Sequence, residues 1–339
     1  MNPNIGIIIP CYKASGLINS VVEKIIKTSE KIKNIANFKI YLINDSCPNN
    51  SWKEVNSDFD INIIHHSKNL GVGFASKSGF YAAMKDNCDF VVKIDADGQH
   101  KPEYLEEIVP FLISKPENEM LLLKGSRYFF RNRLTKIPIM RRIGSLFMEP
   151  LARVGLNYRG LTDITNGFIA SNSLTLKYLL IVDTDSKIFS RYLFECSLLE
   201  KACLLKCEIY QFPMSANYGK NWISSMESRK MIIPILSFWL RAISRRIFNQ
   251  YFFNLNLGTL LLTTFTFAIL YVLYTYFFIV VPNITAGIFV SAGIAAAFTS
   301  MLTIALICLG LFFFYDYSSG KRIKIINFKC YLDDILSKI

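Results

Sequence analysis

Short runs of β-branched and aliphatic residues alternate with segments of helical period through the first two-thirds of the chain. Residues 5–9 form an apolar run stopped by Pro10, which predicts a buried strand followed by a loop. Residues 17–32 then place Val21, Ile25, Ile26 and Ile32 at helical spacing, and residues 38–43 supply a second strand, the opening of a β-α-β unit. A third strand is predicted at 61–64. From residue 69 a helix carries Ala75, Gly79, Ala82 and Ala83, small residues that let it approach a sheet or a ligand closely. Further on, strands are predicted at 90–94, 121–124, just after residue 168 and at 207–212, and helices at 102–113 and 192–205. Residues 127–153 have helical spacing only in their second half.

The pattern changes at residue 221. Trp222, Ile232, Ile233, Phe238, Trp239 and Leu240 alternate with Arg229, Lys230, Arg241, Arg245 and Arg246, the signature of amphipathic helices lying in a headgroup layer. Residues 247–315 contain no charged residue. At about 20 residues per crossing this segment holds two spans, at 255–281 and 286–315, with Pro282 and Asn283 as the turn. The expected organisation is a catalytic domain at 1–220, interfacial helices at 221–250 that hold it against the membrane, a two-helix transmembrane hairpin at 251–316, and a basic tail at 317–339. The turn has no Lys or Arg, whereas both flanks are basic, with Lys321, Arg322 and Lys324 on the far side. By the positive-inside rule the catalytic domain and the C-terminus of this integral membrane protein are expected on the cytosolic face. Asn283-Ile-Thr285 matches a glycosylation sequon, but a site so close to the membrane is expected to be just a turn.

Composition agrees with that division. A chain of 339 residues with 52% hydrophobic content and a mean hydropathy of +0.30 is too apolar for a wholly soluble enzyme. The net charge of +12, set beside long apolar segments, points to anionic lipid headgroups or phosphorylated substrates and not to nucleic acid. The eight cysteines show no C-x-x-C spacing, and no secretory signal precedes the first strand, so reduced, mostly buried thiols are expected.

Candidate chemistry concentrates where the strand at 90–94 ends in Asp95 and Asp97. The carboxyl ends of strands in open α/β sheets are where ligands bind. Asp95 and Asp97 offer hard anionic oxygens and Gln99 an amide carbonyl, a set suited to Mg2+ or Mn2+ carrying substrate phosphates, with Gly98 allowing a tight turn. Alone, a D-x-D tripeptide at a strand end is more often a solvated turn or a helix cap. Asp45 also stands at a strand end, Asp163 lies in a turn-rich loop, and Glu195 is on a helix where a surface charge is an equal reading. Arg127, Arg131, Arg133, Lys136, Arg141, Arg142 and Arg153 form a dense basic stretch, either a solvated face or a grip on a phosphorylated lipid. A dinucleotide fingerprint fails, because Gly71 and Gly73 are followed by Ser76.

Taken in order, IIIPCYK at 7–13, LINDSCPNNS at 42–51, NLGVGFASKSGF at 69–80, DADGQHKPE at 95–103, KGSRY at 124–128 and TDITNGF at 162–168 carry a resemblance. The chain resembles the family 2 glycosyltransferases of GT-A fold, and within them the polyprenyl-phosphate glycosyltransferases, which include the dolichyl-phosphate mannose synthases. The resemblance implies an α/β fold of GT-A type, a Rossmann-like mixed sheet with flanking helices, followed here by the interfacial and transmembrane helices. It implies that Pro10, Tyr12 and Asp45, with Asp95 and Ala96, bind the donor nucleotide, and that Asp95, Asp97 and Gln99 hold the metal. By the same resemblance Arg127, aided by Arg131, Arg133 and Lys220, meets the acceptor phosphate, Asp163 lies beside the reacting centre, and Glu195 stands on the helix behind it. The chain departs from the pattern at Lys13-Ala14, where Asn-Glu is usual, at Asn44, at Ile169, where many relatives carry arginine, and in a reduced basic motif at 218–221.

The expected reaction is inverting transfer of a sugar from a UDP- or GDP-linked donor to polyprenyl phosphate, of undecaprenyl or dolichyl type, at the bilayer surface. Asp163 is expected to place the donor sugar, or to act as base if the acceptor arrives protonated. The rival expectations are transfer to another hydroxyl acceptor in glycan or lipopolysaccharide synthesis, and a non-catalytic membrane scaffold. Gly287, Gly293 and Ala295 to Ala297 permit close helix packing, and with it a homo-oligomer.

Overall fold

The computed structural model describes residues 2–128, 139–181, 193–215 and 228–326. It divides into two compact units, Met1–Trp239 with Arg322–Ile339, and Leu240–Lys321. The chain thus leaves the first unit once and returns to it.

In the first unit eight strands form one sheet: β1 (Asn4–Cys11), β2 (Asn37–Asn44), β3 (Asn62–His65), β4 (Phe90–Lys93), β5 (Leu121–Ser126), β6 (Ile169–Asn172), β7 (Glu208–Pro213) and β8 (Lys324–Ile325). Their spatial order is β8-β7-β5-β6-β4-β1-β2-β3, parallel throughout except for β6, which runs antiparallel to both β4 and β5. The helices of this unit are α1 (Ile18–Lys31), α2 (Val72–Lys85), α3 (Leu105–Ile113), α4 (Ile139–Leu156), α5 (Ser173–Ile181) and α6 (Phe194–Leu204).

β1 is buried on both faces, as its unbroken apolar run requires. Ile5, Ile7 and Ile9 join the core formed with Val21, Val22 and Ile25 of α1 and Leu105, Ile108 and Leu112 of α3. Each such isoleucine contributes roughly 1.5–3 kcal/mol through burial. On the opposite face α2 comes so close that a Cβ on Gly79 would lie 2.3 Å from Ile8 Cγ2 and 2.8 Å from Ile43 Cδ1. The small residues of that helix therefore serve sheet contact. β1 runs through Pro10 to Cys11 in register with β2 instead of stopping at the proline. A missing N–H is tolerated at a strand end.

Lys324 and Ile325, placed by sequence in a basic tail, add the edge strand β8 beside β7. Lys324 bridges Glu208 at 3.0 Å, and Ile326 enters the core.

α7 (Ser228–Ile247) runs across the boundary between the units. The hairpin unit contains a helical run Leu257–Thr285, opened by α8 (Leu257–Thr275), and α9 (Ala292–Ser319). Both are long and apolar enough to cross a membrane, with mean hydropathies of 2.0 and 2.3. Only 17% and 11% of their most apolar windows are buried, unlike the core helices of a soluble domain. Asn256 caps α8 by accepting from the Thr259 amide, and Ser291 caps α9 through Ile294. Pro282 and Asn283 lie inside the first helical run, which a π turn at Tyr276–Val280 carries into Val281–Thr285. The reversal falls at 286–291 instead, since proline is accommodated in the first turn after such an irregularity.

Candidate active site

β4 delivers Lys93 to the sheet end and Asp95 and Asp97 just beyond it, where Gly98 adopts a φ of +71° to turn the chain. Lys93 is fully buried. Its ammonium donates to Asp95 Oδ1 at 2.5 Å and to the Gly167 carbonyl at 2.9 Å, and lies 3.7 Å from Glu195 Oε1. Burial alone would strip that charge, but Asp95 and then Glu195 outweigh it and raise the Lys93 pKa. Burial likewise opposes ionisation of Asp95, and the Lys93 ammonium reverses the balance, holding the carboxyl below its ordinary range. The Asp95 amide donates to His100 Nδ1 at 3.2 Å, and burial keeps that imidazole neutral.

The antiparallel strand β6 places Ile169 opposite Lys93 on one side and Lys124 on the other. The Asn166–Phe168 turn before it presses its backbone into the site. A Cβ on Gly167 would lie 2.0 Å from Asp95 Oδ2 and 3.0 Å from Lys93 Nζ, so glycine is required there. Lys124 donates to the Asn166 carbonyl at 2.6 Å, and burial pulls its ammonium down to about 8. Glu195, on the first turn of α6, is buried among these groups, and desolvation raises its pKa. It is an interior carboxylate and not a surface charge.

Arg127 and Asp163 meet in a buried bidentate pair. Arg127 Nε donates to Asp163 Oδ2 and Nη2 to Oδ1, each at 2.8 Å, and the Arg127 amide adds a third bond to Oδ2 at 2.8 Å. Asn166 Nδ2 also donates to Oδ2, at 3.0 Å. Burial favours the neutral acid, but Arg127 overcomes it and keeps Asp163 ionised. Asp163 has a φ of +49°, a left-handed conformation fixed by the Glu149 carboxylate, which accepts from its amide at 3.1 Å. The remaining Arg127 nitrogen, Nη1, reaches Gln99 Oε1 at 3.4 Å, while Gln99 Nε2 donates to Asp97 Oδ2 at 2.6 Å. Asp163, Arg127, Gln99 and Asp97 thus form one chain of contacts that ends at an exposed carboxylate.

Asp45 stands at its strand end as expected, but its carboxylate is turned inward. It accepts from His66 Nδ1 at 2.7 Å, Asn69 Nδ2 at 2.9 Å, and the amides of Leu70 and Gly71 at 2.9 and 2.8 Å. Its role here is to pin the loop that leads into α2. Pro10 and Ala96 are buried, and Tyr12 is 43% exposed at the same end of the sheet. Arg131, Arg133 and Lys220 lie outside the described residues.

The donor set fits a hard divalent cation. Asp97 is exposed and Asp95 partly so, and loss of solvation, followed by the neighbouring Asp95 charge, raises the Asp97 pKa. Asp95 is paired with Lys93 on the inner side, whereas among the described residues Asp97 has no basic partner within ion-pair distance. Among the described residues no cluster of three His, Cys, Asp or Glu forms a closed cage. A divalent cation held by Asp95 and Asp97 would keep positions for phosphate oxygens and water, as Mg2+ sites commonly do. Gln99, spanning Asp97 and Arg127, supports Asp97 from behind.

Sheet and strand end together give a GT-A-like architecture: a mixed α/β sheet with paired acidic residues at the end of β4, followed by two long apolar helices. The sequence profile described as glycosyl transferase family 2 matches residues 6–162, and over that span the chain is similar to that family. An undecaprenyl-phosphate mannosyltransferase of Micrococcus luteus is 28% identical over 184 residues, 52% of this chain and 70% of the relative. A UDP-N-acetylglucosamine–dolichyl-phosphate N-acetylglucosaminyltransferase of Methanococcus voltae is 28% identical over 191 residues, 52% of this chain and 72% of the relative. A polyprenol monophosphomannose synthase of Mycolicibacterium smegmatis is 25% identical over 166 residues, 49% and 60% of the two chains. Among solved structures, a mannosyltransferase of Pyrobaculum calidifontis in complex with GDP-mannose and Mn2+ aligns with a TM-score of 0.44 at 11% identity, covering 90% of this chain and 88% of that one.

The sequence drew attention to Asp95, Asp97, Gln99, Arg127, Asp163 and Glu195, and these come together at one end of the sheet. It passed over Lys93, Lys124, Asn166 and Gly167. A lysine inside a run such as Phe-Val-Val-Lys-Ile was the available signal, since a buried lysine demands a partner.

Proposed function

We propose that this enzyme transfers a sugar, with inversion, from a nucleotide sugar to the phosphate of a membrane-embedded polyprenol. The observation that carries this reading is the state of the two carboxylates behind the metal pair. Asp163 is held in the fork of Arg127, and Glu195 is buried beside Lys93. Neither is poised to take a proton from an alcohol. A phosphomonoester has a second pKa near 6, so at neutral pH it brings its own anionic nucleophile and needs little help from a base. The two long apolar helices and the named activities of the relatives support the same acceptor.

In this reading Asp95 and Asp97 hold Mg2+ or Mn2+, and that ion, when bound, stabilises the departing diphosphate. Lys93 fixes the first carboxylate and Gln99 the second. Pro10, Tyr12 and Ala96 contact the donor nucleotide, and Asp45 orders the loop beside it. Asp163 acts by holding Arg127, and Arg131, Arg133 and Lys220 supply charge for the acceptor phosphate. The basic flanks of the hairpin support a cytosolic catalytic unit and C-terminus.

The test offers membranes containing the protein a panel of radiolabelled UDP and GDP sugars, with either polyprenyl phosphate or the free polyprenol. Label should enter the organic phase with the phosphate and not with the alcohol, and EDTA should abolish it. Equal transfer to the alcohol, or no lipid product from any donor, overturns the reading. Loss of activity in Asp163→Asn does not separate the two acceptors, because that change also breaks the grip on Arg127.

A further inference from the structure

Helix α4 wears its apolar stripe on the outside. Ala152, Gly155 and Leu156 face the protein and are buried, whereas Ile139, Leu146 and Phe147 are 68–70% exposed and Ile143 and Val154 are also exposed. At 3.6 residues per turn these five positions, with exposed Pro150, fall within an arc of roughly 100°. Exposed Arg142 and Arg153 lie along one margin of that arc. The surrounding sequence is one-sided in charge. Beyond the buried Lys124 and Arg127, residues 128–148 contain five basic residues and no acidic one, and Glu149, which ends the run, is already engaged by Arg153 and the Asp163 amide.

We propose that this face of α4 lies in the headgroup and acyl boundary of an anionic leaflet, giving the catalytic unit a membrane contact of its own, separate from the hairpin. A contiguous exposed apolar stripe of this size marks an interaction surface. A helix with an apolar face and a basic margin, in a stretch without acidic residues, has the chemistry of an interfacial helix on negatively charged lipid. A second copy of the chain fits less well. Two-fold pairing through this stripe brings Arg142 toward its own counterpart, and the one carboxylate on α4, Glu149, is already committed to Arg153 and the Asp163 amide. The proposal rests on the chain being membrane-bound, not on the identity of the sugar acceptor.

The test places a tryptophan in the stripe, Phe147→Trp, in the full chain reconstituted into phosphatidylglycerol-containing vesicles. The emission of Trp52, Trp222 and Trp239 is subtracted using the unmodified protein. The added emission should be blue-shifted and fall at least twofold when the acyl chains are brominated. In vesicles of neutral lipid alone the quenching should weaken. Emission at the wavelength of water-exposed indole, unquenched in anionic vesicles, overturns the proposal. So does a blue shift without quenching accompanied by chemically cross-linked dimers, which assigns the stripe to a second copy. A second variant, Leu146→Gln with Phe147→Gln, should raise the apparent KM for a vesicle-borne acceptor severalfold and leave kcat unchanged. Quenching without any glycolipid product would refute the acceptor and leave the docking surface standing.

Discussion

Arg127 with Asp163 in the catalytic unit, and Arg246 with Asp316 in the hairpin unit, make the same buried bidentate contact within networks of opposite form. In the first, Arg127 spends its backbone amide, Nε and Nη2 on Asp163 and extends Nη1 to Gln99, so the network opens outward to Asp97. In the second, Arg246 donates to Asp316 at 2.6 and 2.9 Å and to Gln250 at 3.0 Å, Gln250 donates to the Tyr251 hydroxyl, and Tyr251 donates back to Asp316 at 2.6 Å. That network is a closed ring. Arg246 and Asp316 are the charges that bracket the uncharged stretch 247–315, so the ring ties together the two ends of the hairpin. In the proposed mechanism the open chain positions a metal-holding carboxylate, whereas the closed ring only fastens. The ring also tolerates imperfection, since Arg246 Nε is buried with no hydrogen-bond partner among the described residues.

The sharpest way to break the comparison is to remove one partner from each pair. Asp163→Ala should abolish turnover and destabilise the catalytic unit by about 3–5 kcal/mol, because Arg127 is left buried and uncompensated. Replacing both partners, Arg127→Met with Asp163→Leu, should restore much of the stability measured by thermal unfolding without restoring activity. The matching Arg246→Met with Asp316→Leu should keep activity per folded molecule. If the two double variants behave alike, the distinction between open and closed networks is wrong.

Next in size, Lys93→Met removes the counter-charge of Asp95 and should lower turnover or Mn2+ affinity about 10- to 100-fold, read from the metal dependence of initial rates. Gln99→Leu, which interrupts the open chain one step from Asp97, should weaken Mn2+ affinity by about tenfold and shift unfolding little. The smallest effect is expected for Asp316→Asn, which keeps an acceptor for Arg246 and Tyr251. It should cost about 1–3 kcal/mol in hairpin stability and leave kcat unchanged.

The elements along the first unit were legible because their periods are local: the apolar runs of β1, β2 and β4 and the helical spacing of α1 are written in consecutive residues. Asp95 and Asp97 could be placed at a strand end for the same reason. What could not be read was pairing. Lys93 finds Gly167 and Glu195 only because β6 slots antiparallel between β4 and β5, a register that no local pattern encodes. Arg127 and Asp163, each singled out with a separate role, turn out to satisfy one another across 36 residues. Asp45 lay at the expected strand end, but which way its carboxylate turned depended on donors at 66–71 that read as a glycine-rich lead into a helix.

The position of β8 in the chain has a consequence for biosynthesis. Lys324 and Ile325 complete the sheet beside β7, yet a ribosome adds them only after both apolar helices have been synthesised. The sheet therefore waits for its last strand until both apolar helices have been translated, and closure of the catalytic unit comes late in the making of the chain.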